Sequence, residues 1–224
     1  MKKLINGIAD FRRNVLPSYR DTFARLALGQ SPDTLFIACC DSRVVPNLFA
    51  SSDPGDLFVV RNVGNMVPPC GENGSSVGDE SEAAAIEFSV LTLNVTSIVI
   101  CGHSECGAMQ NLLIDRATIP YPNLRSWLQY GESALKLLNN GFVINKGLKH
   151  HNQLSQINVL EQKKHLETYP IIKERINQNK LRIYCWWFDI ATADVYSFNE
   201  AEGLFKVLDD EEANRLLSLI NSNT

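Results

Sequence analysis

Two short apolar runs end in chemistry that a buried strand has no use for. Leu35-Phe36-Ile37-Ala38-Cys39 passes directly into Cys40-Asp41-Ser42-Arg43, and Ser97-Ile98-Val99-Ile100-Cys101-Gly102 delivers His103 and Cys106 within Cys-Gly-His-Ser-Glu-Cys-Gly. In an open α/β sheet, ligands collect at the carboxyl ends of the strands. Further strands are expected at 57–62 and 181–190, with 195–198 and 204–208 adding a hairpin or a bulged edge strand. Helical spacing fills the intervals at 81–93, through 114, 124–138, 149–168 and 171–178, and a short amphipathic helix is expected at 210–220. The alternation predicts an α/β fold: a mainly parallel central sheet of four strands plus an edge strand, helices on both faces, and an N-terminal helical arm over 1–28 broken at Pro17.

Cys39, His103 and Cys106 offer two thiolates and an imidazole, donors that zinc takes in tetrahedral sites. If the strand turns into a helix near Gly102, His103 and Cys106 stand three apart on its first turn, and free amides there favour the Cys106 thiolate. Three ligands leave a position open, the mark of a catalytic site. Asp41 can hydrogen-bond a water at that position or occupy it, and Arg43 can keep the carboxylate ionised and oriented. A His-x-x-Cys pair alone also occurs by chance, and most cysteines are small buried hydrophobes. That plainer reading is assigned to Cys40, Cys70, Cys101 and Cys185. His150, His151 and His165 are read as solvated helix histidines.

With 224 residues the chain is expected to be one domain, 1–224, with a C-terminal helix over 209–224. A net charge of −4 gives no electrostatic reason to expect nucleic acid or an anionic membrane as a partner. No apolar run reaches a membrane span and Met1-Lys2-Lys3 is not followed by a signal-peptide core. Six cysteines without a framework spacing suit a reducing compartment, so a cytoplasmic location is expected.

Cys39-x-Asp41-Ser42-Arg43 together with His103-x-x-Cys106-Gly107 resembles the signature of the β-class carbonic anhydrases. The resemblance extends to Gln30-Ser31-Pro32, Pro54-Gly55-Asp56, Val60 to Asn65 and Asp189-Ile190, and covers most of 15–208. It implies reversible hydration of carbon dioxide to bicarbonate and a proton by attack of zinc-bound hydroxide. It also implies zinc on Cys39, His103 and Cys106, with Asp41 and Arg43 as the catalytic pair and Gln30, Phe58, Val63, Phe88 and Gly107 around the substrate. Arg61 is expected to brace the site loop or a subunit contact. The N-terminal arm is expected to embrace a neighbouring subunit, in a homodimer or a higher even-numbered homo-oligomer. Phe88 stands where related enzymes often carry a tyrosine. Phe36, Ala38 and Phe188 stand where one branch has the tryptophan, glycine and tyrosine of a noncatalytic bicarbonate pocket. The open, plant-like type without that pocket is therefore expected. The rival readings are a carbon disulfide or carbonyl sulfide hydrolase on the same fold, a noncatalytic zinc- or anion-binding protein, and a thiol redox protein. The last leaves Asp41, Arg43 and His103 without roles.

Overall fold

A computed structural model describes residues 1–221 of the chain. The N-terminal arm comprises α1 (Lys2–Asp10) and α2 (Leu16–Leu26). Then follow β1 (Thr34–Cys39), α3 (Pro46–Phe49), β2 (Leu57–Asn62), α4 (Glu80–Glu87), β3 (Ser97–His103), α5 (Gly107–Leu112), α6 (Pro122–Trp127) and α7 (Glu132–Asn139). The chain continues through α8 (His150–Leu166), α9 (Pro170–Asn177), β4 (Arg182–Phe188), β5 (Val195–Asn199), β6 (Leu204–Val207) and α10 (Asp210–Asn221). Residues 222–224 of the expected C-terminal helix lie outside the described residues. No described helix is long and apolar enough to cross a membrane.

The strands form one sheet in the order β2-β1-β3-β4-β5-β6. The first four pair in parallel and the last two add antiparallel. Of the two endings expected for the sheet, the hairpin is the one formed. Gly203 donates its amide to Asn199 O at 2.8 Å, closing the turn that lays Leu204–Val207 back along Tyr196–Asn199. Strand order reverses between β1 and β3, and such a switch point opens a crevice at the carboxyl ends. Ala38 lies opposite Cys101, so Cys39 ends β1 beside the last residues of β3.

Side chains alternate across the sheet. Leu35, Ile37 and Cys39 face the larger core with Ile98, Ile100, Met109, Leu154 and Trp187. Phe36 and Ala38 face a smaller cluster with Val44, Val99, Cys101 and Phe188, where Phe49 of α3 stacks on Phe188 at 4.8 Å. Alternation corrects the reading of Cys40: one residue past the strand it is exposed, and Cys70 is only half-buried, whereas Cys101 and Cys185 are buried as expected. The α8 helix packs along β3 and β4, and β3 admits it through Gly102. A Cβ there would stand 2.7 Å from Val159 Cγ2 and 3.1 Å from Ser155 Oγ.

Pro17 does not break the arm. The helix passes from α1 to α2 through a π turn at Phe11–Val15, with the Leu16 amide reaching back to Phe11 O. Proline lacks an amide and crowds the carbonyl four residues earlier, and the widened turn immediately before it absorbs that misfit. No residue of the arm is buried within the chain, and Leu4, Ile5, Ile8, Phe11, Val15 and Phe23 are exposed. A second π turn, Phe88–Thr92, continues α4.

Candidate metal centre

Cys39, His103 and Cys106 bring their ligand atoms within 4.8 Å of one another, and all three residues are buried. Cys39 closes β1, His103 closes β3, and Cys106 is the N-cap of α5. The expected shared helical turn is therefore corrected: the chain reverses between the two ligands through Glu105, whose φ of 55° is left-handed. The expectation of amides at Cys106 holds, because the backbone N–H groups of Ala108 and Met109 point to its sulfur.

His103 Nδ1 lies 2.8 Å from Ser104 O, and a carbonyl only accepts, so Nδ1 carries the proton. Nε2, buried, has no hydrogen-bond partner. Its lone pair is available to a metal, and the tautomer is fixed by the neighbouring carbonyl. The Cys39 thiol is drawn down to about 4, first by the hydrogen bond from Cys106 and against its burial, with the Gly64 amide adding to it. The same bond, and burial, push the Cys106 thiol up. A soft sulfur pair, an unpartnered imidazole nitrogen and close convergence fit a divalent transition metal.

Asp41 stands outside this group, held by Arg43. The guanidinium donates through Nε to Oδ1 at 2.9 Å and through NH2 to Oδ2 at 2.8 Å, and the Arg43 amide adds a bond to Oδ1 at 3.0 Å. Arg43 holds the carboxyl well below the usual carboxylate range, chiefly through these side-chain bonds. Arg61 reaches Cys39 O at 3.1 Å and Asp41 O at 2.6 Å, bracing the site loop.

A second loop, 63–67, covers the cluster. Gly64 donates its amide to Cys39 Sγ at 3.3 Å, and its φ of 82° suits glycine. Polar side chains hold this loop, and Asn158 and Gln162 among them are buried. Asn158 donates to Gly64 O at 3.1 Å, the Val67 amide donates to Gln162 Oε1 at 2.7 Å, and Trp127 donates to Val63 O at 2.7 Å. Ser155 donates to His103 O at 2.8 Å. Sequence reading missed Ser155, Asn158 and Gln162, whose signal is their recurrence at helical spacing within α8. His165 and His151 also depart from the solvated reading: His165 Nδ1 lies 2.8 Å from Val67 O, and His151 Nε2 lies 3.2 Å from Glu105 Oε2.

The expected substrate residues divide into two sets. Val63 and Gly107 sit on the loop and helix beside the cluster, with open space where a Gly107 Cβ would stand. Phe58 and Phe88 pair with ring centroids 5.8 Å apart, and Phe58 lies opposite Leu35, four residues before the Cys39 register. That is about 13 Å along the strand. Gln30 precedes β1 altogether, in a surface hollow with Thr22, Arg25 and Asp53–Asp56. Within one chain these three residues are not brought to the cluster.

Residues 34–195 match the family model described as carbonic anhydrase. A carbonic anhydrase of Synechococcus elongatus is 39% identical over 199 residues, covering 87% of this chain and 70% of its own length. One of Pseudomonas aeruginosa is 35% identical, covering 92% and 90%. Among solved structures, the β-carbonic anhydrase CcaA superposes with a TM-score of 0.85 at 35% identity over 92% of this chain and 98% of that one. A structure from work on two tetrameric β-carbonic anhydrases of Sordaria macrospora gives 0.73 at 29% identity, over 88% and 94%.

Proposed function

This chain belongs to the β-class carbonic anhydrases and interconverts carbon dioxide and bicarbonate, and from that premise we propose that it works as a zinc enzyme of the open-site type. Cys39, His103 and Cys106 would hold the ion, and the unpartnered His103 Nε2 is the observation that supports this. Zinc, when bound, supplies a Lewis acid that makes hydroxide available from water near neutral pH. Two thiolates offset the charge of the ion, which leaves more for the protein's own groups to do.

Asp41 carries that share. Kept ionised and oriented by Arg43, it accepts a hydrogen bond from the attacking water and directs a lone pair of that oxygen at the substrate carbon. While Arg43 grips both carboxylate oxygens, Asp41 is held away from the cluster, and this is the feature that supports the open type. The Gly107 amide is available to one substrate oxygen, and Val63 supplies apolar wall suited to an uncharged substrate. Phe36, Ala38 and Phe188 lie packed in the smaller core, which supports the lack of a noncatalytic bicarbonate pocket.

Gln30, Phe58 and Phe88 complete the site only if a second copy brings them. Their place at the far edge, beside an arm with no buried residue of its own, supports a two-fold pair in which each chain finishes the other's site. Larger even-numbered assemblies are built from such pairs. The setting we propose is the reducing cytoplasm, where Cys39 and Cys106 stay available as thiolates.

The test is stopped-flow carbon dioxide hydration with a pH indicator, on metal-quantified wild type and Asp41→Asn. Wild type is expected to carry one zinc per chain and release protons rapidly. The variant should keep its metal and lose on the order of 100-fold or more in turnover. Full zinc occupancy with no hydration in wild type would refute the reading, and an unchanged rate in Asp41→Asn would remove Asp41 from the chemistry.

A further inference from the structure

The turn that joins the two ligands of the second strand end is pinned at two points by two different elements. Ser104 is fixed from the end of β4: its amide donates to Phe188 O at 2.9 Å, its hydroxyl donates to Asp189 Oδ1 at 2.9 Å, and the Ile190 amide donates to that hydroxyl at 2.8 Å. These bonds set His103. Glu105 is fixed from the other side, by the first turn of α8. Asn152 accepts the Glu105 amide through Oδ1 at 2.8 Å and donates through Nδ2 to Glu105 Oε1 at 3.3 Å. Lys149 adds an ion pair to Oε1 at 2.8 Å.

A glutamate in the left-handed region is sparsely populated unless its surroundings hold it there. Asn152, which is 7% exposed, grips it at both ends. Lys149, with its side chain 68% exposed, contributes little by comparison. The held peptide presents Glu105 O to Arg43 NH2 at 3.1 Å. That same nitrogen donates to Asp41 Oδ2. The Arg43 side chain is 47% exposed, and an exposed ion pair without a second anchor is short-lived. Glu105 O is that anchor.

We propose that Asn152 is a positioning residue, acting through Glu105 O and Arg43 to keep the Asp41 carboxylate turned away from the Cys39–His103–Cys106 cluster. This rests on the open-site reading and adds the device that maintains it. Because Ser104 pins His103 independently, loss of Asn152 should leave metal binding intact and loosen only the Asp41–Arg43 side.

The test uses the full chain loaded with cobalt(II), whose visible bands report whether the Asp41 carboxylate has joined the three ligands. Asp41→Asn supplies the spectrum without it. Wild type is expected to match that reference. Asn152→Ala is expected to bind one cobalt per chain and to shift the carboxylate-ligated to free ratio on the order of tenfold. Adding Asp41→Asn should abolish the shift. In the metal-free protein, exchange of the Arg43 Nε proton should quicken by a similar factor. Asn152→Asp keeps the size and the acceptor for the Glu105 amide but loses the donor, so it tests the same clamp without a cavity and should move both readouts in the same direction. Wild-type spectra and exchange in either folded variant would overturn the proposal. Asp41 already on cobalt in wild type would instead overturn the open-site reading.

Discussion

Gln162→Leu removes a side chain that is wholly buried and fully used. Gln162 accepts the Val67 amide at 2.7 Å and donates to Tyr130 O and Asn158 Oδ1, both at 2.9 Å. Leucine fills nearly the same space and meets none of these groups. Two backbone groups and one side-chain oxygen are then stranded at 0% exposure of the residue that served them. Each buried group left unmet costs about 1–3 kcal/mol, and the added apolar surface returns roughly 1–2 kcal/mol. At the middle of these ranges three groups cost about 6 kcal/mol, and the net loss is about 4–5 kcal/mol. For a chain of this size each kcal/mol moves the melting temperature by about 2–4 °C, so a fall of roughly 8–20 °C is expected. Calorimetry at one fixed protein concentration and metal content, paired with urea unfolding, measures it. A loss below about 1 kcal/mol would refute the claim that this polar network holds the 63–67 loop.

Gly102→Ala forces a methyl group to within 2.7 Å of Val159 Cγ2, and a loss of about 1–3 kcal/mol in urea unfolding is expected, partly recovered by Val159→Ala. Burial lowers the His165 pKa below its ordinary 6.5, so the neutral ring stabilises the fold fully above pH 6.5 and loses that contribution as pH falls through the folded value. His165→Gln should flatten the pH dependence of stability on the acid side of 6.5, and an unchanged slope would count against it. If paired chains complete each other's sites, an equal mixture of Asp41→Asn and Gln30→Ala chains, unfolded and refolded together, forms mixed dimers in which one site of two is intact. Roughly a quarter of wild-type hydration should return, whereas recovery no greater than the average of the two variants refolded separately would rule out sharing.

The strand ends were legible because their information is local: an apolar run and the residues that follow it fix both the strand and what stands at its mouth. Cys39, His103 and Cys106 converge because adjacent parallel strands end together, and that too follows from the alternation of elements. The left-handed Glu105 was not legible, since nothing in Ser-Glu-Cys distinguishes a helical turn from a reversal held by a residue 47 positions later. Ser155, Asn158 and Gln162 read as ordinary helix polar residues because burial of a polar group depends on partners distant in the sequence. The separation of Gln30, Phe58 and Phe88 from the cluster was in part available: Gln30 precedes a strand whose far end carries Cys39, and a parallel sheet keeps those ends apart. Pro17 misled because its cost to a helix is local, while the remedy lies one turn earlier.

That remedy has a geometric consequence. The π turn at Phe11–Val15 holds one residue more than an α-helical turn would, and each residue advances a helix by about 100°. The extra residue is therefore taken up within one turn, and the helical faces on either side keep their phase. Deleting one residue of 11–15 would let that turn close to α geometry and leave Leu4, Ile5 and Ile8 on the face they already occupy, whereas a deletion within α2, where no turn is widened, would swing them by about 100° about the arm's axis. The π turn is thus the place in the arm where chain length can change by one without re-aiming the apolar stripe.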